Sequence, residues 1–247
     1  MDNILDKLRK FYSKMPKTSG CMENLEKCKA FCCRINNPQV LNCEFCYVWD
    51  YIVKNWDYSQ VAVLIEKCFR NYLSNEFNKA CVFLEEGSNL CGIHKSRVFN
   101  CYIYGITPEE EIRPRVEKFK KMYKDDLSVI IRDQCDKVLI DNGSKLKKED
   151  TDKWWEELNK IEIMSGIKEE DIHDMHGGSY RTFHDHILLR FIPEDMMEQL
   201  SALKIHGSKE EKELFIVNYM TIFVEKLKAN QNGESGKPQK EDIDTGV

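Results

Sequence analysis

Apolar residues recur every three or four positions along most of this chain, the spacing of one face of an α-helix. Two capping boxes mark helix starts, with Thr107 paired to Glu110 and Ser208 paired to Glu211. The pattern predicts helices over residues 1–15, 44–56, 59–84, 107–123, 127–140, 151–164, 193–206 and 208–227. We therefore expect a mainly α protein.

Between these helices lie polar or glycine-containing segments. Residues 85–105 hold Gly87, Gly92 and Gly105, and they predict an irregular loop. A lysine-rich polar stretch near residue 145 predicts a boundary between a cysteine-rich domain, 1–145, and a helical region, 146–229. Residues 230–247 are too polar to bury a core, so a disordered tail is predicted there.

Cysteine is concentrated in one part of the chain. The sequence has 11 cysteines, and all except Cys135 lie between Cys21 and Cys101. No secretory signal precedes them, so we expect a cytoplasmic location, where thiols stay reduced and dense cysteines are more often metal ligands than disulfides. Metal binding is the first functional prediction.

Charge narrows the classes of partner. The 37 basic and 42 acidic residues give a net charge of −5, which argues against nucleic-acid binding. No stretch approaches the roughly 18 uninterrupted apolar residues of a membrane span. A protein partner is compatible with the sequence, which does not identify one.

Two groups of cysteines can supply the four soft ligands of Zn²⁺ or of an iron–sulfur cluster. The irregular backbone and the surplus of thiols favour iron–sulfur over Zn²⁺. His94, three residues after Cys91, is either a ligand or a partner of one. The candidate ligands are Cys21, Cys28, Cys32 and Cys33 in the first group and Cys81, Cys91 and Cys101 in the second.

The remaining cysteines have different interpretations. Cys43 and Cys46 form a Cys-x2-Cys pair that either adds ligands or lines one side of a helix. Cys68 lies at helical spacing among apolar residues and is predicted to be an inert core thiol, as is Cys135.

The order of these cysteine elements resembles a known family. Cys28, Cys32 and Cys33 are similar to its opening cluster, and Cys81-Val-Phe-Leu, Cys91-Gly-Ile-His and Arg97-Val-Phe-Asn-Cys101 are similar to its later elements. The family is the zinc- or iron-chelating CxxCxxCC family, also called the YkgJ-like cysteine cluster family. The chain departs from its pattern in the opening spacing, and at Val98 and Tyr102, where the family has proline and arginine.

This resemblance implies binding of a metal or an iron–sulfur cluster. One branch of the family, the flagellin lysine N-methylases, implies methylation that uses S-adenosylmethionine. The chain has no glycine-rich strand–loop–helix fingerprint for that cofactor, so methylation is the minor hypothesis.

Histidines form a second cluster. Four of the 6 histidines, His173, His176, His184 and His186, fall within 14 residues, with Asp174 and Asp185 among them. Imidazole and carboxylate groups are ligands for Zn²⁺, Fe²⁺ and related metals. The alternative, a polar loop with unrelated histidines, is slightly favoured. A second metal site there would make the chain a metal-dependent modifying enzyme, which is our alternative to a metal-binding protein.

Overall fold

The computed structural model describes residues 2–16, 18–19, 33–34, 37–76, 78–85, 87–88, 90–124, 139–140, 146–173 and 178–233. Its helices are α1 (Asp2–Ser13), α2 (Asn42–Asn55), α3 (Tyr58–Leu73), α4 (Phe99–Ile103), α5 (Glu109–Met122), α6 (Lys148–Met164), α7 (Glu169–Ile172), α8 (Phe183–Phe191), α9 (Glu194–His206) and α10 (Lys209–Gly233). The prediction of a mainly α fold is confirmed. No helix in this described part is long and apolar enough to cross a membrane.

The strands are short and pair residues that are far apart in sequence. They are β1 (Thr18–Ser19), β2 (Gln39–Val40), β3 (Leu139–Ile140) and β4 (Arg181–Thr182). Strand β1 pairs antiparallel with β3, and β2 pairs antiparallel with β4. Each ladder brings together two segments that are far apart in sequence and that belong to the same compact unit.

Each compact unit contains two stretches of chain. The first unit holds residues 1–54 and 76–183, and the second holds residues 55–75 and 184–247. Residue 145, where the predicted cysteine-rich domain ends, lies outside the described residues, so that boundary stays a prediction.

The first unit has a core in which α1, α2, α4 and α6 contribute large apolar side chains. Leu8 and Phe11 of α1 are fully buried, as are Phe99 of α4 and Leu158 of α6. The Phe99 ring meets Phe11 at 5.7 Å and Trp155 at 4.9 Å, both edge to face. Such aromatic pairs add about 0.5–1.5 kcal/mol each beyond area burial, so this core fixes the position of the short helix α4.

The second unit packs α3 against α9 and α10. Phe69 of α3 is fully buried and contacts the rings of Phe215 and Tyr219 of α10, at 6.0 and 4.7 Å. Arg70 donates to both carboxylate oxygens of Glu213, at 2.7 and 2.8 Å. Such bidentate pairing adds geometric specificity to the α3–α10 contact.

Three predicted segments need correction. The helix predicted over 59–84 ends at Leu73, because Ser74 turns to an extended backbone. Leu139–Ile140 form a strand where the end of a helix was predicted, and the rest of that segment lies outside the described residues. Helix α10 continues to Gly233, four residues into the predicted tail, and residues 234–247 lie outside the described chain.

Candidate metal centre

Cys33 of the first cysteine group and Cys81 of the second are linked by a backbone hydrogen bond. The Cys81 N–H donates to the Cys33 carbonyl at an N···O distance of 2.6 Å. Cys81 is buried and Cys33 is half-buried. This bond places the last cysteine of the opening cluster beside the first cysteine of the second group, across 47 intervening residues.

A tight hairpin follows Cys81 and carries Cys91. Leu84 and Cys91 form an antiparallel bridge, flanked by bonds from the Glu85 N–H to the Leu90 carbonyl, 2.9 Å, and from the Gly92 N–H to the Phe83 carbonyl, also 2.9 Å. Gly87, at the turn, has a φ of 86°, which glycine adopts without strain.

Apolar side chains hold this hairpin to the core of the first unit. The Phe83 ring packs edge to face on Phe183 at 4.4 Å, and Phe183 packs on Phe45 at 5.0 Å. Ile93 and Val98, further along the chain, are also buried. Where an irregular loop was predicted over 85–105, the described residues contain a 3₁₀ turn at His94–Ser96 and helix α4.

His94 lies next to Cys91. The backbone N–H of His94 donates to the Cys91 carbonyl at an N···O distance of 3.0 Å. Burial of the half-buried imidazole, together with the positive charge of Arg97, lowers the pKa of His94. The neutral imidazole that metal binding requires is therefore the favoured form at neutral pH.

Helix α4 carries Cys101 and is fixed at its start by polar contacts. The Phe99 N–H donates to Oε1 of the buried Glu44 at 2.7 Å. Asn100 Nδ2 donates to the Gln39 carbonyl at 2.6 Å and to the Tyr180 hydroxyl at 2.7 Å. These bonds define the orientation of α4 and of the half-buried Cys101.

An aromatic stack includes Tyr102, the residue that follows Cys101 in the sequence. The Tyr12 ring lies 5.2 Å from both Tyr47 and Tyr102, and the Arg97 guanidinium lies 4.2 Å from the Tyr102 ring centroid. Tyr12 also donates its hydroxyl proton to Glu44 at 2.6 Å. Tyr102 therefore stacks on Tyr12 and lies under the Arg97 guanidinium.

Three of the opening cysteines, Cys21, Cys28 and Cys32, lie outside the described residues. Within the part that the structure does describe, no three His, Cys, Asp or Glu side chains are grouped as a metal site would need. Of the described candidates, Cys33 and Cys81 share a backbone hydrogen bond. Cys91 forms a β-bridge with Leu84, and Cys101 lies on helix α4.

The candidate histidines are distributed over several elements. His173 follows α7, is exposed and contacts the Tyr180 ring at 5.3 Å, whereas His176 lies outside the described residues. His184 and His186 are both buried on α8. Residues two apart on a helix do not share a face, so these two imidazoles point in different directions. The second metal site stays a prediction.

Two buried carboxylates were missed in the sequence. Glu44 of α2 and Glu162 of α6 are 1% and 0% exposed. Glu44 is three residues after Leu41 and four before Val48, so it lies on the apolar face of α2. An acidic residue at an apolar position of a helical pattern was the available signal.

Comparisons with protein-family models, with characterised proteins and with solved structures found no match to this chain.

Proposed function

We propose that this chain is a metal-binding protein whose centre is held by thiolates of its two cysteine groups, with an iron–sulfur cluster favoured over Zn²⁺. The backbone hydrogen bond between Cys33 and Cys81 supports the proposal most directly, because it joins one candidate ligand of the first group to one of the second. Ligands that are distant in sequence and meet in the fold are typical of a centre that contributes to folding.

The second cysteine group has the chemistry that a soft metal needs. Cys81 is buried beside Cys33, and a buried thiolate is stable when a cation compensates its charge. His94 provides a neutral imidazole next to Cys91, either as a ligand or as a hydrogen-bonding partner of one. The order of the cysteine elements, similar to the YkgJ-like family, is independent support.

The choice of an iron–sulfur cluster rests on the number of thiols. The seven candidate cysteines exceed the four that either centre requires, and iron–sulfur clusters use cysteinate ligands almost throughout. Structural zinc sites instead often combine cysteine with histidine. His94 is therefore the residue whose role differs most between the two metals.

Anaerobic purification of the full chain, followed by analysis of iron, zinc and acid-labile sulfide, tests the proposal. We expect iron and sulfide in comparable amounts and a broad visible absorption band that dithionite bleaches. Stoichiometric zinc in a colourless protein would support the thiolate centre and overturn the preference for iron–sulfur. A chain that binds neither metal would contradict the proposal.

A further inference from the structure

Helix α2 has no side-chain cap from the residue that precedes it. Leu41 precedes the helix and has no polar side chain, so the first N–H groups need another acceptor. Glu162 of α6 supplies it, accepting from the Asn42 N–H at 2.9 Å and from the Cys43 N–H at 2.8 Å. The positive end of the helix dipole stabilises this buried carboxylate.

The same carboxylate lies beside Cys43, because it accepts the N–H of that residue. Burial first, then the charge of Glu162 and a hydrogen bond to it, raise the pKa of the Cys43 thiol well above its usual range. Glu44 and Cys46 act in the same direction. Cys43 is therefore a buried thiol next to a buried carboxylate that accepts its N–H at 2.8 Å, unlike a core thiol surrounded only by hydrophobic groups.

Cys46 lies one turn further along α2. Residues three apart on a helix share a face, with Cβ atoms about 5–6 Å apart, whereas a disulfide needs about 3.5–4.5 Å. The turn must tighten by about 1–2 Å, which the first turn of a helix can do by adopting 3₁₀ geometry. Cys46 is half-buried and Cys43 is buried, so we expect a reagent from solvent to reach Cys46 first.

We infer that Cys43 and Cys46 form a reversible dithiol–disulfide pair, which a low-molecular-weight disulfide such as glutathione disulfide oxidises and which uses Glu162 as proton acceptor. This pair is separate from the cysteines of the proposed metal centre.

The reaction has two exchange steps. The Cys46 thiolate attacks glutathione disulfide, forms a mixed disulfide and releases one glutathione thiolate. The Cys43 sulfur then attacks the Cys46 sulfur, its proton passes to the Glu162 carboxylate, and the second glutathione thiolate leaves. Two protein thiols have then lost two electrons and two protons, and one glutathione disulfide has become two glutathione molecules.

Oxidation changes the contacts at the start of α2. The tightened turn displaces the Asn42 and Cys43 N–H groups that donate to Glu162. Because the new bond closes a strained turn, it should be easily reduced, which is typical of regulatory disulfides.

Peptide mapping of the full chain tests the inference without ambiguity between cysteines. Cleavage after lysine and arginine releases residues 35–54, which contain Cys43 and Cys46 and no other cysteine. After equilibration with glutathione disulfide and alkylation, this peptide should be unalkylated and lighter by two hydrogen atoms. Dithiothreitol should restore alkylation of both thiols. Cys68, buried in α3 and released in residues 68–70, is the internal control and should stay a thiol.

Three variants separate the steps. Cys43→Ser should accumulate glutathione on Cys46, and Cys46→Ser should leave Cys43 unmodified. Glu162→Gln should slow closure of the disulfide at least tenfold while glutathione still reaches Cys46 at the wild-type rate. The inference is overturned if residues 35–54 stay fully alkylated in glutathione disulfide, if they carry only glutathione, or if Cys68 oxidises equally readily.

Discussion

Glu44 is a buried carboxylate of the first unit whose two oxygens accept hydrogen bonds from three donors. These are the Tyr12 hydroxyl at 2.6 Å, the Phe99 N–H at 2.7 Å and the Leu41 N–H at 3.1 Å. Burial raises the pKa of Glu44, although these three hydrogen bonds lower it in part. The residue thus joins α1, the start of α2 and the start of α4, which carries Cys101.

The raised pKa determines how Glu44 responds to pH. The unfolded carboxyl ionises near pH 4.3, and the folded one at a higher pH, so between these values the folded state holds more protons than the unfolded state. Stability from Glu44 is fully present below the unfolded pKa and declines as pH rises through the folded pKa.

Glu44→Gln should therefore lower the free energy of unfolding by about 1–3 kcal/mol, because its amide cannot accept the Leu41 N–H. The deficit should be larger near pH 4 than near pH 7, as urea unfolding at several pH values would show. Glu156→Gln is the control of opposite sign, because Lys160 lowers the pKa of the exposed Glu156. A deficit that grows with pH would contradict this account of Glu44.

Helix α10 illustrates what one cap contributes to an element. The Ser208 N–H donates to Glu211 at 2.8 Å, and the Glu211 N–H donates to the Ser208 hydroxyl at 3.1 Å. This reciprocal pair confirms the capping box predicted there. The helix then supplies Phe215 and Tyr219 to the contact with α3.

Ser208→Ala should lower the free energy of unfolding by about 1 kcal/mol, since it removes the acceptor of the Glu211 N–H. Thr221→Ala, on an exposed position within the same helix, should cause no loss, because alanine has the higher helix propensity. Urea unfolding measures both. Equal losses in the two variants would show that the cap contributes nothing specific.

Elements with local signals could be predicted, and elements without them could not. The capping box marked the start of α10, and the predicted range 193–206 has the same end as α9 at His206. Strands β1 and β3 have two residues each and pair across about 120 residues, so no period-2 pattern could indicate them. The end of α3 had a signal in Ser74 and Asn75, both weaker helix formers than alanine, that the apolar pattern outweighed.

At the scale of the whole molecule, the chain returns to each unit after leaving it. The first unit combines residues 1–54 with residues 76–183. The backbone hydrogen bond between Cys33 and Cys81 is one of the contacts between these two stretches. That the two cysteine groups together hold a metal stays a prediction, and the sequence could not predict the apolar anchors Phe83 and Phe99. Those anchors depend on packing between distant segments, which a single sequence does not specify.

Metal per chain in matched cysteine variants tests the central claim most directly. Cys81→Ser removes the thiol of a proposed ligand whose backbone N–H donates to the Cys33 carbonyl. Cys68→Ser removes a buried thiol of α3 outside the proposed centre. We predict that the Cys81 variant retains about a tenth or less of the wild-type iron or zinc per chain. The Cys68 variant should keep the wild-type metal content. Equal metal content in both variants and the wild type would contradict the account.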